Sequence, residues 1–324
     1  MKEIKFCDID GIKLGHAEDK EGGTGCSVII CEQGATAGVD VRGGSPGTRE
    51  TDLLNPMEMV EKIHAVVLSG GSAFGLDASS GVMEYLENKD IGFDVTVAKV
   101  PIVCQAVLFD LAFGDPKIRP NKEMGIKACI NSESYKDDIN GNIGAGYGAT
   151  VGKFLGPAYS MKGGLGTYAI KLGDLEVGAI VAVNCLGDVV DPSNLNVIAG
   201  AYDNENKKFL DSERLIIENY QNPKNPFKGN TTIGIIVTNA DFTKAQANKV
   251  ASMAHNGYGR TMRPAHTMFD GDTIFTMATN KVKCDVTTVG MLAAKVMEKA
   301  ILRGVKSAQG LFDVPSFSDV NKQI

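Results

Sequence analysis

The stretch from Thr231 to Ile324 constrains this chain more than any other, because it reads as strand, helix, strand, helix. An apolar β-run opens at Thr231-Thr232-Ile233-Gly234-Ile235-Ile236-Val237. A helix follows from Thr243 to about His255, a strand from Thr273 to Ala278 and a helix from about Thr287 to Arg303. Asp241 or Thr243 can cap the first helix and Asn256-Gly257 can stop it; Asp285 or Thr287 can cap the second and Gly304 can end it. Two strands and two helices cannot bury both faces of a sheet alone, so the block must share a sheet with the residues before it. One α/β domain over residues 1–324 is therefore predicted, not an independent C-terminal unit.

Upstream, short apolar runs alternate with glycine-rich turns. Cys26 to Cys31 and Ala37 to Val41 read as strands separated at Gln33-Gly34, and His64 to Leu68 reads as a third. Ser69-Gly70-Gly71-Ser72 then breaks the chain before a helix from about Leu76 to Glu87, with Val82, Tyr85 and Leu86 at helical spacing. A short helix is expected after Pro101 within Val100 to Leu111. Gly178 to Cys185 reads as a buried strand, and Leu195 to Ala201 as an extension of the sheet. Tyr202 to Asn230 is the most polar stretch and reads as a surface connection carrying a short helix near Leu215 to Tyr220.

Bulk properties exclude several classes. A formal net charge of −6 argues against a general nucleic-acid binder, which carries a basic stripe. No apolar run approaches membrane-spanning length, and Met1 to Asp8 lacks the apolar core of a signal peptide. The seven cysteines are odd in number and form no CxxC pair, so neither a zinc site nor a disulfide framework is indicated. A cytoplasmic protein of enzyme size is expected.

The junction Gly229-Asn230-Thr231-Thr232 admits two readings. A strand can simply begin with two threonines, which β-propensity favours. Alternatively, a break before Thr231 would leave a residue carrying nucleophile and base together: the hydroxyl attacks and the α-amine, titrating near pH ~7.7–8.0, takes the proton.

Other motifs fall short of familiar signatures. Gly144-Ala145-Gly146-Tyr147-Gly148-Ala149-Thr150-Val151-Gly152-Lys153 fails as a phosphate loop, because Tyr147 stands where a glycine belongs and Phe154 where Ser or Thr binds magnesium. It fits better as a ribbon that carries Lys153 close to a reaction centre. Gly70-Gly71-Ser72-Ala73-Phe74-Gly75 offers backbone amides between strand and helix, for packing or for an anion, but is not a nucleophile elbow. Asp270-Gly271-Asp272 lacks the ligand series of a calcium loop; it is a solvated turn or a carboxylate pair that orients an ammonium. His16, His64, His255 and His266 have no metal spacing and read as structural.

Taken together, these segments resemble the L-aminopeptidase/D-esterase family of self-cleaving amide hydrolases, and within it the nylon-oligomer (6-aminohexanoate-oligomer) hydrolases. The segments that carry the likeness are Val39-Asp40-Val41-Arg42-Gly43-Gly44, Gly70 to Asp77, the ribbon ending in Lys153, Asn184 before Asp188-Val189-Val190-Asp191, Gly229 to Ile233, and His266 to Thr273. The resemblance implies an αββα four-layer sandwich, like that of N-terminal-nucleophile hydrolases but with the connectivity shared with ornithine acetyltransferases. It implies self-cleavage between Asn230 and Thr231, giving fragments 1–230 and 231–324 that stay together. By position, Thr231 is the nucleophile, Asn184 the oxyanion-hole side chain, Lys153 an active-site cation, and Asp270 and Asp272 the carboxylates that orient the Thr231 amine. Aspartates at those two positions lean toward the nylon-oligomer branch. Phe109 stands where nylon-oligomer relatives place an active-site tyrosine, a departure that bears on substrate binding. No metal or organic cofactor is implied. The expected partner is a small amide or peptide substrate, with neither nucleic acid nor membrane, and a homotetramer is the implied assembly. An acyltransferase of the ornithine acetyltransferase type, or an unprocessed ligand-binding protein, are the competing readings.

Overall fold

The computed structural model describes residues 1–221 and 229–321. The Asn/Pro/Lys run at 222–228, part of the connection expected from sequence, lies outside the described residues. Ten strands form one hydrogen-bonded sheet: β1 (Lys2–Ile4), β2 (Lys13–Asp19), β3 (Thr24–Val41), β4 (Thr48–Arg49), β5 (Lys62–Ser69), β6 (Val103–Val107), β7 (Gly164–Leu172), β8 (Leu175–Val183), β9 (Ile233–Ala240) and β10 (Thr273–Val282). Their order is β1-β7-β8-β9-β10-β3-β5-β6-β4, with β2 paired to β3. The helices that matter for packing are α1 (Ala78–Glu87), α2 (Lys122–Ser132), α3 (Ser212–Glu218), α4 (Lys244–Thr261) and α5 (Val286–Ser307).

By packing, that single ladder is two layers. Strand β3 is 18 residues long. Its first part pairs with β2 and β5, and its last part with β10. The register slips between Ile30 and Ala35, where Gly34 takes φ +74°. A left-handed residue at a bulge bends the strand and raises its twist, so β3 leaves one layer and enters the other.

Three apolar cores follow. Val177, Val181, Ile236 and Ile274 pack against α4 and α5. Ile29, Leu68, Ile180, Ile235 and Phe275 fill the space between the two sheet layers. Val28, Val67, Val82 and Leu86 join α1 and α2 to the opposite face. The alternation is that of a strand buried on both sides: along β9, Ile233, Ile235 and Val237 face the inner core while Ile236 and Ala240 face the helices. The architecture is helix, sheet, sheet, helix, as expected. Among the described residues no helix is long and apolar enough to cross a membrane.

Four local expectations are corrected. The turn at Gln33-Gly34 is the bulge inside β3. The helix after Pro101 is β6, a strand parallel to β5 whose five residues are all buried; a doubly buried parallel strand shows no alternation to read. Helix α4 runs through Asn256-Gly257 to Thr261, because Gly257 lies against α5, where a Cβ would sit 2.8 Å from the Ala294 carbonyl oxygen. Val197–Ala199 joins a separate small sheet with Asp188–Val190 and Met262–Arg263 rather than extending the main one.

Candidate active site

Strand pairing assembles the site. Strands β9 and β10 are parallel neighbours with Ile233 opposite Thr273, so the residues just before each lie at the same edge of the sheet. That puts Thr231-Thr232 beside Asp270-Gly271-Asp272. Strand β8 is antiparallel to β9 with Ala182 opposite Ile233, so the residue after its end, Asn184, arrives at the same edge. The glycine ribbon delivers Lys153: Gly152 and Lys153 donate their N–H groups to the carbonyls of Gly187 and Leu186, both at 2.9 Å. Gly152, at φ +73°, passes so close to Gly200 that a Cβ would lie 1.9 Å from its carbonyl carbon.

All five candidate side chains are buried. Asn184, Asp270 and Asp272 are fully inaccessible, Lys153 is 2% exposed and Thr231 is 4% exposed. The Thr231 hydroxyl donates to the carbonyl oxygen of Asn230, the residue before it. It accepts the Gly271 N–H at 3.0 Å. The Thr231 amide N–H donates to the Asn184 backbone carbonyl at 3.0 Å. Lys153 Nζ donates to that same carbonyl at 3.0 Å, to Asn184 Oδ1 at 2.8 Å and to the Gly229 carbonyl at 3.1 Å.

The two aspartates are used differently. Asp272 Oδ1 accepts the Thr232 N–H at 2.9 Å, while Oδ2 accepts both the backbone N–H and Nδ1 of His266, each at 2.9 Å. Asp270 accepts the Leu186 N–H at 3.1 Å and the Thr267 hydroxyl. Burial, reinforced by the neighbouring Asp272 charge, pushes the Asp270 carboxyl up to about 7. Burial pulls the Lys153 ammonium down to about 7, against the opposing pull of Cys185, Asp270 and Asp110.

Three parts of this arrangement are not in the sequence reading. The Gly271 N–H and the Asn184 backbone carbonyl are main-chain groups, which residue identity does not reveal. His266, read as structural, is bonded directly to Asp272. The Asn184 carboxamide accepts from Thr150 N at 3.0 Å as well as from Lys153, and its NH2 donates to the Phe109 carbonyl at 3.0 Å. Phe109 lines a cavity of about 20 Å³ with Phe113, Thr150 and Lys153. The Gly70–Gly75 loop serves packing: the Gly71 N–H and the Thr24 hydroxyl both donate to the buried Asp110, at 2.7 and 2.6 Å.

Comparisons with known proteins bear on the family and the fold. Residues 5–314 match the sequence profile of peptidase family S58. The chain is 37% identical to an uncharacterized aminopeptidase of Mycobacterium leprae, covering 96% of this chain and 92% of that protein. It is 31% identical to a 6-aminohexanoate-oligomer endohydrolase of Paenarthrobacter ureafaciens, covering 94% and 87%. Among solved structures, the L-aminopeptidase D-Ala-esterase/amidase of Ochrobactrum anthropi, a variant of the Ntn hydrolase fold, superposes with a TM-score of 0.72. It does so at 18% identity over 98% of this chain and 93% of its own.

Proposed function

The chain belongs to peptidase family S58, and from that premise we propose that it is a self-processing amide hydrolase whose nucleophile is Thr231. Its substrates are small peptides, amino-acid amides or 6-aminohexanoate oligomers. The observation that carries the reading is the placement of the Thr231 hydroxyl. It lies between the Asn230 carbonyl that it would attack and the Gly271 N–H that would steady the developing alkoxide.

In maturation, Thr231 Oγ bonds to the Asn230 carbonyl carbon, and the carbonyl π pair moves to its oxygen. The hydroxyl proton leaves to a base of the site, and the Asp270 carboxylate, in the loop whose Gly271 N–H meets Oγ, is the proposed acceptor. Collapse breaks the Asn230–Thr231 C–N bond, and the nitrogen takes a proton, leaving an ester on Oγ. Water hydrolyses that ester, so Asn230 ends as a carboxylate and the Thr231 hydroxyl is restored beside the amine freed by the shift. In turnover the same hydroxyl attacks the substrate amide, the new amine carries the proton to the leaving group, and water then hydrolyses the acyl ester to release a carboxylate and restore the hydroxyl. The Asn184 NH2, at present on the Phe109 carbonyl, is the side-chain donor offered to the oxyanion. Asn184 also holds the Thr231 nitrogen and Lys153 through its backbone carbonyl.

Intact-mass measurement of purified protein tests the reading. Two masses, split between Asn230 and Thr231, are expected; a single full-length mass after prolonged incubation overturns it.

A further inference from the structure

We propose that His266 is a positioning residue for this reaction: it fastens Asp272 against the start of β9 and so orients the amine released at Thr231. The inference rests on the Thr231 reading above. His266 sends its backbone N–H and its Nδ1–H to the same carboxylate oxygen, both at 2.9 Å. A carboxylate only accepts, so Nδ1 carries a proton. The other carboxylate oxygen takes the N–H of Thr232, the residue bonded to the nucleophile. Asp272 is thus tied on one side to the nucleophile strand and on the other to His266, and it is fully buried.

The ring itself is fixed. It stacks on Tyr258 with centroids 6.0 Å apart and meets His255 edge-on at 4.8 Å, both from α4. The His266 backbone is left-handed at φ +59°, a conformation that histidine, asparagine and aspartate tolerate better than most residues. That conformation lets one residue point two N–H groups at one oxygen. The groups facing this pair are Asp270 in the same loop, His255 and Tyr258 on α4, and Cys185 after β8. Asp40 and Arg42 lie behind His255. Among the described residues the side chain hydrogen-bonded to Asp272 is that of His266, and none of these.

The test compares His266→Ala, His266→Gly and His266→Asn with wild type, following self-cleavage by mass and turnover of a small amide across pH. Glycine takes the left-handed backbone without strain, so it separates a folding defect from loss of the donor. Asparagine keeps both the backbone preference and an N–H at the position of Nδ1. Ala and Gly should lower kcat about ten- to a hundredfold with KM little changed, the loss expected for one charge-assisted hydrogen bond. Asn should recover most of that loss. Asn as impaired as Gly, or all three near wild type, overturns the inference. A wild-type protein that stays one chain overturns the Thr231 reading itself, and this inference with it.

Discussion

Gly271→Ala is the most direct probe of the geometry at the nucleophile. A Cβ on Gly271 would lie 2.7 Å from Thr231 Oγ and 2.7 Å from the Ser45 carbonyl oxygen, with Pro46 Cα at 3.1 Å. Ordinary contact begins near 3.4 Å, so relief requires a displacement of roughly 0.7 Å. The methyl is caught between the hydroxyl and a loop backbone, and any relief lengthens the 3.0 Å bond from the Gly271 N–H to Oγ. Misplacing a reacting group by about 1 Å costs ~10²-fold. Self-cleavage should therefore slow by about 10², while overpacking costs roughly 1–3 kcal/mol of stability. The control is Gly259→Ala on the exposed face of α4, where a Cβ meets nothing within 4 Å and helix propensity favours alanine. Freshly refolded chains are followed by intact mass over time. If Gly271→Ala cleaves as fast as Gly259→Ala, the Gly271 N–H has no part in activating Thr231.

Thr231→Ala should remain one chain and hydrolyse nothing, whereas Thr231→Ser should still cleave, since a primary hydroxyl can make the same acyl shift; gel mobility and amide turnover decide it. In the Thr231→Ala background, which removes differences in cleavage, Asp270→Asn should melt higher at pH 8 and equally near pH 4. Folding raises the Asp270 carboxyl from its ordinary 3.8 to about 7, so the parent loses stability as pH rises through that window and the asparagine variant does not. Asn fits the site, accepting from Leu186 N and donating to the Thr267 hydroxyl. In the Thr231 parent the same change should abolish cleavage. Phe109→Tyr should raise kcat/KM on 6-aminohexanoate oligomers, by up to ~2.7–4 kcal/mol if its hydroxyl meets the oxyanion. The adjoining cavity of about 20 Å³ has room for one oxygen. No change on an oligoamide or an activated ester would mean that the ring only packs.

The strand–helix–strand–helix block after Thr231 was legible because its periodicity is local and its caps are ordinary; Thr243 indeed caps α4 with a reciprocal Gln246 bond. Strand β6 was not legible. Its Gln105 sits fully buried between Ser69 and the Gly75 carbonyl, a polar residue whose partners are far away in sequence. The single path of β3 through both layers was hidden for a related reason, since Gln-Gly reads as a turn unless tertiary pairing continues past it. At the site, side chains could be nominated from the motif segments, but the groups touching Thr231 are largely main-chain. The Asn184 carbonyl and the Gly271 N–H acquire meaning only when three strand ends meet. The His266–Asp272 pair is not marked in the sequence, because the partners lie six residues apart, at no recognised motif spacing.

The position of β9 and β10 has a consequence for refolding. Both run in the interior of the sheet, with β8 on one side and β3 on the other, and both partners come from residues before the proposed cut. A cut at Asn230–Thr231 leaves these ladders intact, so the native state hardly registers it. The unfolded state registers it fully, because the two pieces then diffuse apart and must find each other again. Recovery of the uncut chain is first order, whereas recovery of the cut protein is second order and falls with dilution. The native cut protein would therefore be held by the rate at which it unfolds, having discarded the covalent link that guided its assembly.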